Sequence, residues 1–260
     1  MKEEKIKYNF TGETVLVTGA GQGIGEAVSR AFAKAGAKLI LVDIDKGKIE
    51  KLKKELEIIS GEDNILTIKT DVSVPEDVKK MVEKSISVFG KIDILFNNAG
   101  VNKRIPLKDV TFEEWRNIMK VNLDGVFLVA QAVGNVMIKE KKGKIINSAS
   151  MSAFIVNEHL NDGVYCTSKA GVGMLTKALA VEWAEYNIEV NAIAPGYTKT
   201  PLVVQLIADA KKREALEKRI PQHRFAEPDE IAGAVLYLAS SSTTYITGHI
   251  LLIDGGYTVW

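Results

Sequence analysis

The chain holds a single cysteine, Cys166, in 260 residues. One thiol closes no intrachain disulfide and builds no cysteine metal cluster, so the fold must stand on its core, as suits a reducing compartment. Cys166 itself reads as a small, half-buried hydrophobe. His223 and His249 have no partners at ligand spacing, and no metal site is assigned. Charge of one sign is lacking as well: 34 Lys and Arg stand against 33 Asp and Glu, scattered along helical segments. That excludes a basic face for nucleic acid or for an anionic membrane. No uninterrupted apolar run reaches the roughly 18 residues of a membrane span, and the opening residues Met1 to Phe10 contain no apolar h-region, so a cytoplasmic protein is expected. Linkers, low-complexity tracts and solenoid repeats are absent, and one domain over 1–260 is expected.

What is present is a rhythm. Short β-branched runs at 14–18, 38–42, 65–70, 92–96, 144–147, 189–193 and 250–253 alternate with longer stretches of helical period, the pattern of βαβ units. Runs such as Val15-Leu16-Val17 and Leu39-Ile40-Leu41-Val42 are apolar on both faces, as helices on both sides of a parallel sheet require. The fold class is therefore α/β, a three-layer, doubly wound, Rossmann-like parallel sheet of about seven strands. Pro75, Pro106, Pro201 and Pro228 sit where helices should open. A helix is expected over 115–133 and another over 200–219. The least regular segments, about 152–163 and 197–225, follow central strands and are the expected substrate loops, because ligands bind at the C-terminal edge of such sheets.

Thr18-Gly-Ala-Gly-Gln-Gly-Ile-Gly25 follows the first strand and runs into a helix. Gly19, Gly23 and Gly25 depart from the usual dinucleotide spacing but serve the same end. Without Cβ atoms the turn tightens, and with Gln22 and Ile24 its backbone can approach a pyrophosphate at the helix N-terminus. Asp43 closes the second strand, where a carboxylate accepts hydrogen bonds from the adenosine ribose and repels a 2′-phosphate. Ala20 and Ile44 supply no cation for that phosphate, which favours NAD over NADP; Lys46 is the nearest cation along the chain.

Tyr165 and Lys169 are four apart, so a helix carries both on one face. A fixed ammonium beside a phenol favours phenolate, which turns Tyr165 into a candidate general base near neutrality.

Taken together, Thr18–Gly25, Asp71-Val72, Asn97-Asn-Ala-Gly100, Asn122, Ser150, Tyr165-Cys-Thr-Ser-Lys169, Pro195-Gly196 and Asp254-Gly-Gly256 stand in the order of one family. The chain resembles the short-chain dehydrogenases/reductases over nearly its whole length. The resemblance implies that Asp71 and Val72 contact adenine. It places Asn98, Ala99 and Gly100 under the middle of the cofactor, with Pro195, Gly196 and Thr198 bordering the nicotinamide. It implies Tyr165 as acid/base, Lys169 lowering its pKa and binding the ribose, Ser150 steadying the reacting oxygen, and Asn122 holding a water in a proton relay. Family members are commonly homotetramers that pack through the helix at 165–186 and the C-terminal strand.

The stretch 149–157 looks like the gluconate and polyol dehydrogenase branch, where the interval between Ser and Tyr is long. The expected function is NAD-dependent interconversion of a secondary alcohol and a ketone on a sugar acid or polyol. Arg104 and His159 are the candidate substrate contacts, Arg104 by pairing with a carboxylate or with hydroxyls. Alternatives are a 3-oxoacyl-acyl-carrier-protein reductase, which Asp43 disfavours, a steroid or small-alcohol dehydrogenase, and a nicotinamide-binding regulator without catalysis, which the complete residue set disfavours. Ser148 and Ser152 are rivals of Ser150. Ser150→Ala is expected to lower turnover by at least about a hundredfold while cofactor affinity stays near wild type; unchanged turnover would move the role to a neighbouring serine.

Overall fold

The computed structural model describes residues 6–157 and 160–260, without the side chains of residues 205–207. Strands β1 (Thr14–Thr18), β2 (Lys38–Asp43), β3 (Ile65–Lys69), β4 (Ile94–Asn97), β5 (Gly143–Ser148), β6 (Ile188–Pro195) and β7 (Ile250–Ile253) form one parallel sheet in the order β3-β2-β1-β4-β5-β6-β7. Each lies on one of the seven predicted runs, with ends shifted by a few residues. The crossovers and loops carry helices α1 (Gly23–Lys34), α2 (Lys46–Ser60), α3 (Pro75–Phe89), α4 (Phe112–Met119), α5 (Gly125–Glu140), α6 (Gly163–Trp183), α7 (Pro201–Ile207), α8 (Ala210–Arg219) and α9 (Pro228–Ala239).

Strand alternation builds the three layers. Val15, Val17, Leu39, Leu41 and Phe96 point to one face, against Val28 and Phe32 of α1, Ile49 and Leu56 of α2, and Ile231 and Val235 of α9. Leu16, Ile40, Val42 and Leu95 point to the other, against Met81 of α3, Val129, Val133 and Met137 of α5, and Leu179 and Trp183 of α6. Burial on both faces is the reason these strands are apolar throughout. The result is a single Rossmann-like domain. Its chain runs outward from β1 through β2 to β3, then returns to β4 on the other side of β1 and continues to β7. At that reversal the loops after β1 and β4 part, leaving a crevice at the C-terminal edge of the sheet.

Two helical expectations need correction. The segment expected as one helix over 115–133 is interrupted by a π-helical turn, Lys120–Asp124, in which Gly125 N–H donates to the Lys120 carbonyl five residues back. The widened turn falls on Asn122. The segment 200–219 is two helices because Asp209 caps the second, its Oδ1 accepting from the N–H groups of Lys211 and Lys212 at 2.9 and 3.3 Å.

By length and composition the continuous stretch Phe112–Glu140 could cross a membrane, although no unbroken apolar run had that length. Its Val129, Ala130, Val133 and Met137 are fully buried against the sheet, so here the hydropathy belongs to the core. The α5–α6 contact is close: a Cβ on Gly134 would stand 2.4 Å from Cη2 of the Trp183 ring. Gly134→Ala is expected to destabilise the fold by about 1–3 kcal/mol despite alanine's better helix propensity, measured by chemical or thermal denaturation. A stabilised variant would mean that the ring moves aside freely.

Candidate active site

Several features make the turn after β1 a cradle for an anion. Gly19 and Gly23 have φ of +64° and +60°, a region in which side chains are strained. At Gly25 the limit is contact: a Cβ there would lie 2.1 Å from the Gly19 carbonyl oxygen, so α1 could not seat on the turn. Gln22, the N-cap of α1, gives the first turn no side-chain acceptor, and Gln22, Gly23 and Ile24 line the crevice. The first N–H groups of α1 are thus left for a ligand. Gly25 itself stays off the crevice wall; its role is packing.

The turn is tied to β4 by side chains. Thr18 Oγ1 accepts from the N–H groups of Asn98 and Ala99 at 2.9 and 3.1 Å, while Asn98 Nδ2 donates to the carbonyls of Thr18 and Gly19 at 3.1 and 3.3 Å. Asn98 therefore supports the floor of the crevice with an amide already engaged.

Asp43 closes β2 as expected. Its Oδ2 accepts from Gly21 N–H at 2.9 Å and its Oδ1 from Asp45 N–H at 3.0 Å, and the residue lines the crevice. The lining cation at this end is Lys48, not Lys46: Lys48 Nζ donates to Gln22 Oε1 at 2.7 Å. Helix α2 opens at Lys46, and Lys48, two residues further in its first turn, stands at the crevice lip. Asp71 accepts from both the hydroxyl and the N–H of Ser73, at 2.6 and 2.9 Å, and the hydroxyl bond chiefly holds its carboxyl below the usual range. Val72, Ala99 and Gly100 continue the wall, which ends at Pro195, Gly196 and Thr198. The crevice measures about 500 Å³, within the range of small-molecule and cofactor sites. Its glycine cradle, open helix N-terminus and acidic far end fit a dinucleotide.

At the other end Ser150, Tyr165 and Lys169 converge. Ser150 caps a short 3-10 turn, its Oγ accepting from Ser152 N–H at 3.1 Å, and it is hydrogen-bonded to Tyr165. Of the rival serines, Ser148 holds Lys169 Nζ through its carbonyl at 2.6 Å, and Ser152 Oγ accepts from Asn157 Nδ2 at 2.9 Å. The bond to Tyr165 singles out Ser150. Lys169 Nζ lies 5.7 Å from the centre of the Tyr165 ring, and burial pulls its ammonium down to about 8. The Tyr165 phenol is pushed up to about 12, first by burial; the Ser150 hydrogen bond and Arg104 pull it down, and Asp162 and Cys166 push it up. Lys169 was expected to lower this pKa, but in the protein alone burial dominates both groups and holds each toward its uncharged form.

Asn122 is brought to the same place, its Oδ1 and Lys169 Nζ lying 3.3 and 3.5 Å from where a Cβ on Gly100 would stand. Its amide is engaged, however. Oδ1 accepts from Val101 N–H at 2.8 Å, and Nδ2 donates to the Val101 carbonyl at 2.8 Å and to Ser168 Oγ at 3.1 Å. Both amide hydrogens are used, so the side chain clamps the loop after β4. Arg104 lines the crevice from an exposed position, while His159 lies outside the described residues.

Sequence reasoning missed Asn157, Asp162 and Tyr197, all buried and all lining the substrate end. Tyr197 stands one residue after the Pro195-Gly196 pair, the nearest signal that could have flagged it. The other two gave no pattern: they lie in the irregular segment before α6, where neither strand nor helix spacing marks a face, although their partners Ser152 and Cys166 are near in sequence.

A family model described as enoyl-(acyl carrier protein) reductase matches residues 19–258. The chain is 40% identical to the 3-oxoacyl-[acyl-carrier-protein] reductase of Thermotoga maritima over 95% of this chain and 98% of that one. It is 39% identical to the NAD-dependent glycerol dehydrogenase of Listeria innocua (97% and 96%) and 37% identical to the 5-keto-D-gluconate 5-reductase of Escherichia coli (97% and 98%). Among solved structures, a short-chain type dehydrogenase/reductase from Mycobacterium marinum superposes with a TM-score of 0.92 at 39% identity, covering 97% and 98% of the two chains. A gluconate 5-dehydrogenase from Burkholderia cenocepacia, in complex with NADP and tartrate, superposes at 0.91 and 36% identity, with 98% of each chain covered. The fold and site define an oxidoreductase that acts on CH–OH groups with a nicotinamide cofactor. The chain belongs to the short-chain dehydrogenases/reductases, and its relatives include members of the gluconate and polyol branch that it resembles.

Gly25→Ala is expected to weaken cofactor binding about tenfold or more and to lower the Tm, because helix and turn must separate to admit the methyl group. Fluorescence titration with reduced cofactor measures it, and wild-type affinity would show that the turn does not form the cradle.

Proposed function

We propose that this enzyme uses NAD(H) to interconvert a secondary alcohol and a ketone on a polyol or sugar acid, with Tyr165 as the general acid/base. The observation that carries the reading is the convergence of Ser150, Tyr165 and Lys169 at one end of a crevice whose far end is lined by Asp43. In oxidation Tyr165 receives the hydroxyl proton and Ser150 hydrogen-bonds the same oxygen. Bound NAD supplies the hydride acceptor. Lys169, anchored on the Ser148 carbonyl, keeps donors for the ribose and, with a pKa of about 8, is still mainly the ammonium that favours phenolate near neutral pH. Asn122 fixes the loop that carries Gly100 and Val101 against this set.

The preference for NAD is argued from Asp43, whose carboxylate at the end of β2 would repel a 2′-phosphate. Lys48 at the lip pulls the other way, and the Burkholderia cenocepacia relative carries NADP. The activities of the relatives divide between sugar derivatives and polyols on one side and acyl-carrier-protein substrates on the other; the acid at position 43 supports the first group. We further propose a cytoplasmic homotetramer. Exposed Met174 and Val181 on α6, and Tyr245, Leu252 and Trp260 around β7, are the apolar surfaces that would pack.

The test is absorbance at the reduced-nicotinamide band with both cofactors over polyols, sugar acids and an oxoacyl thioester. NAD is expected to exceed NADP by about tenfold or more in kcat/KM, and Asp43→Ser to erase most of that preference. NADP preference with thioester reduction would overturn the reading, and light scattering that shows only monomer would overturn the tetramer.

A further inference from the structure

The substrate end of the crevice holds an acid that neither proton transfer nor cofactor binding employs. Asp162 immediately precedes α6, lines the crevice three residues before Tyr165, and is only 4% exposed. Its Oδ2 accepts from Asn157 Nδ2 at 3.3 Å and its Oδ1 from the Cys166 thiol at 3.4 Å. Among the described residues no salt bridge reaches it. A carboxylate offers about four lone-pair positions, and two long bonds from uncharged donors leave much of that capacity unspent where water is scarce. The group is also held in place. Asn157 donates to Ser152 Oγ as well, and its Oδ1 accepts from the Tyr197 hydroxyl at 3.2 Å. Tyr197 is fixed in turn by edge contacts with Phe225 and Tyr257.

We propose that Asp162 is the specificity determinant of this active site, accepting a hydrogen bond from a substrate hydroxyl beside the reacting carbon, so that the substrate is an uncharged polyhydric alcohol or its hydroxyketone. The inference rests on the alcohol dehydrogenase reading above and narrows it. A neighbouring hydroxyl completes the hydrogen bonding of the carboxylate. A methyl or methylene group in its place leaves a buried acceptor bare, and a substrate carboxylate meets a like charge. A site built to receive a hydroxyl rejects the analogue that lacks it more strongly than an apolar pocket rejects an extra group. Arg104, at the exposed mouth of the crevice, is left to meet the distal hydroxyls.

Two matched pairs test this with the purified enzyme and NAD: butane-2,3-diol against butan-2-ol, which differ by one hydroxyl, and sorbitol against gluconate, which share their configuration and differ in the carboxylate. The wild type is expected to favour the diol by about a hundredfold or more in kcat/KM and sorbitol over gluconate. Asp162→Asn is expected to cut the diol preference about tenfold and to raise gluconate relative to sorbitol. Cofactor titration and the Tm show whether the variant has folded; if it has not, the wild-type ratios alone decide. A wild-type diol preference below about tenfold, a preference for gluconate, or unchanged ratios in a folded Asp162→Asn enzyme would each overturn the role of Asp162 while leaving an alcohol dehydrogenase. Turnover of the oxoacyl thioester with no turnover of any alcohol would overturn the parent reading, and this inference with it.

Discussion

The ends of β1 and β4 must separate to open the crevice and yet stay in register, and the bonds between Thr18 and Asn98 meet both demands. One hydroxyl takes the two N–H groups that follow β4, and one amide returns two bonds to the carbonyls at the start of the glycine turn. Backbone pairing has stopped by this point, so the side chains hold the two ends together where the sheet no longer does. The seat of α1, the floor beneath the cofactor and the path of the loop toward Arg104 all follow from that junction. Asn122 extends it by clamping Val101 two residues beyond Ala99.

The catalytic end shows the electrostatic cost of such a site. Lys169 and Tyr165 are both desolvated, and each is driven toward its uncharged form. Asp162 adds a negative field from the substrate side and raises the phenol further. That is tolerable where a bound hydroxyl spends part of the field in a hydrogen bond.

By itself the sequence determined the sheet, its two covered faces, the glycine turn with its acid partner at Asp43, and the Ser150, Tyr165 and Lys169 set. The sheet, the glycine turn and the shared face of Tyr165 and Lys169 rest on short-range rules: alternation along a strand, the φ freedom of glycine, and the four-residue spacing of a helix face. Asp43 follows from its separation from the turn, and Ser150 from the family resemblance. Only the tertiary structure decided what depends on distant partners. It engaged the Asn122 amide with Val101 and Ser168, set Lys48 in place of Lys46 against Gln22 at the cofactor lip, and brought Tyr197 to Asn157 in the crevice. Local pattern carries no record of a contact made across the fold, and a buried polar side chain takes its role from the neighbours that folding brings to it.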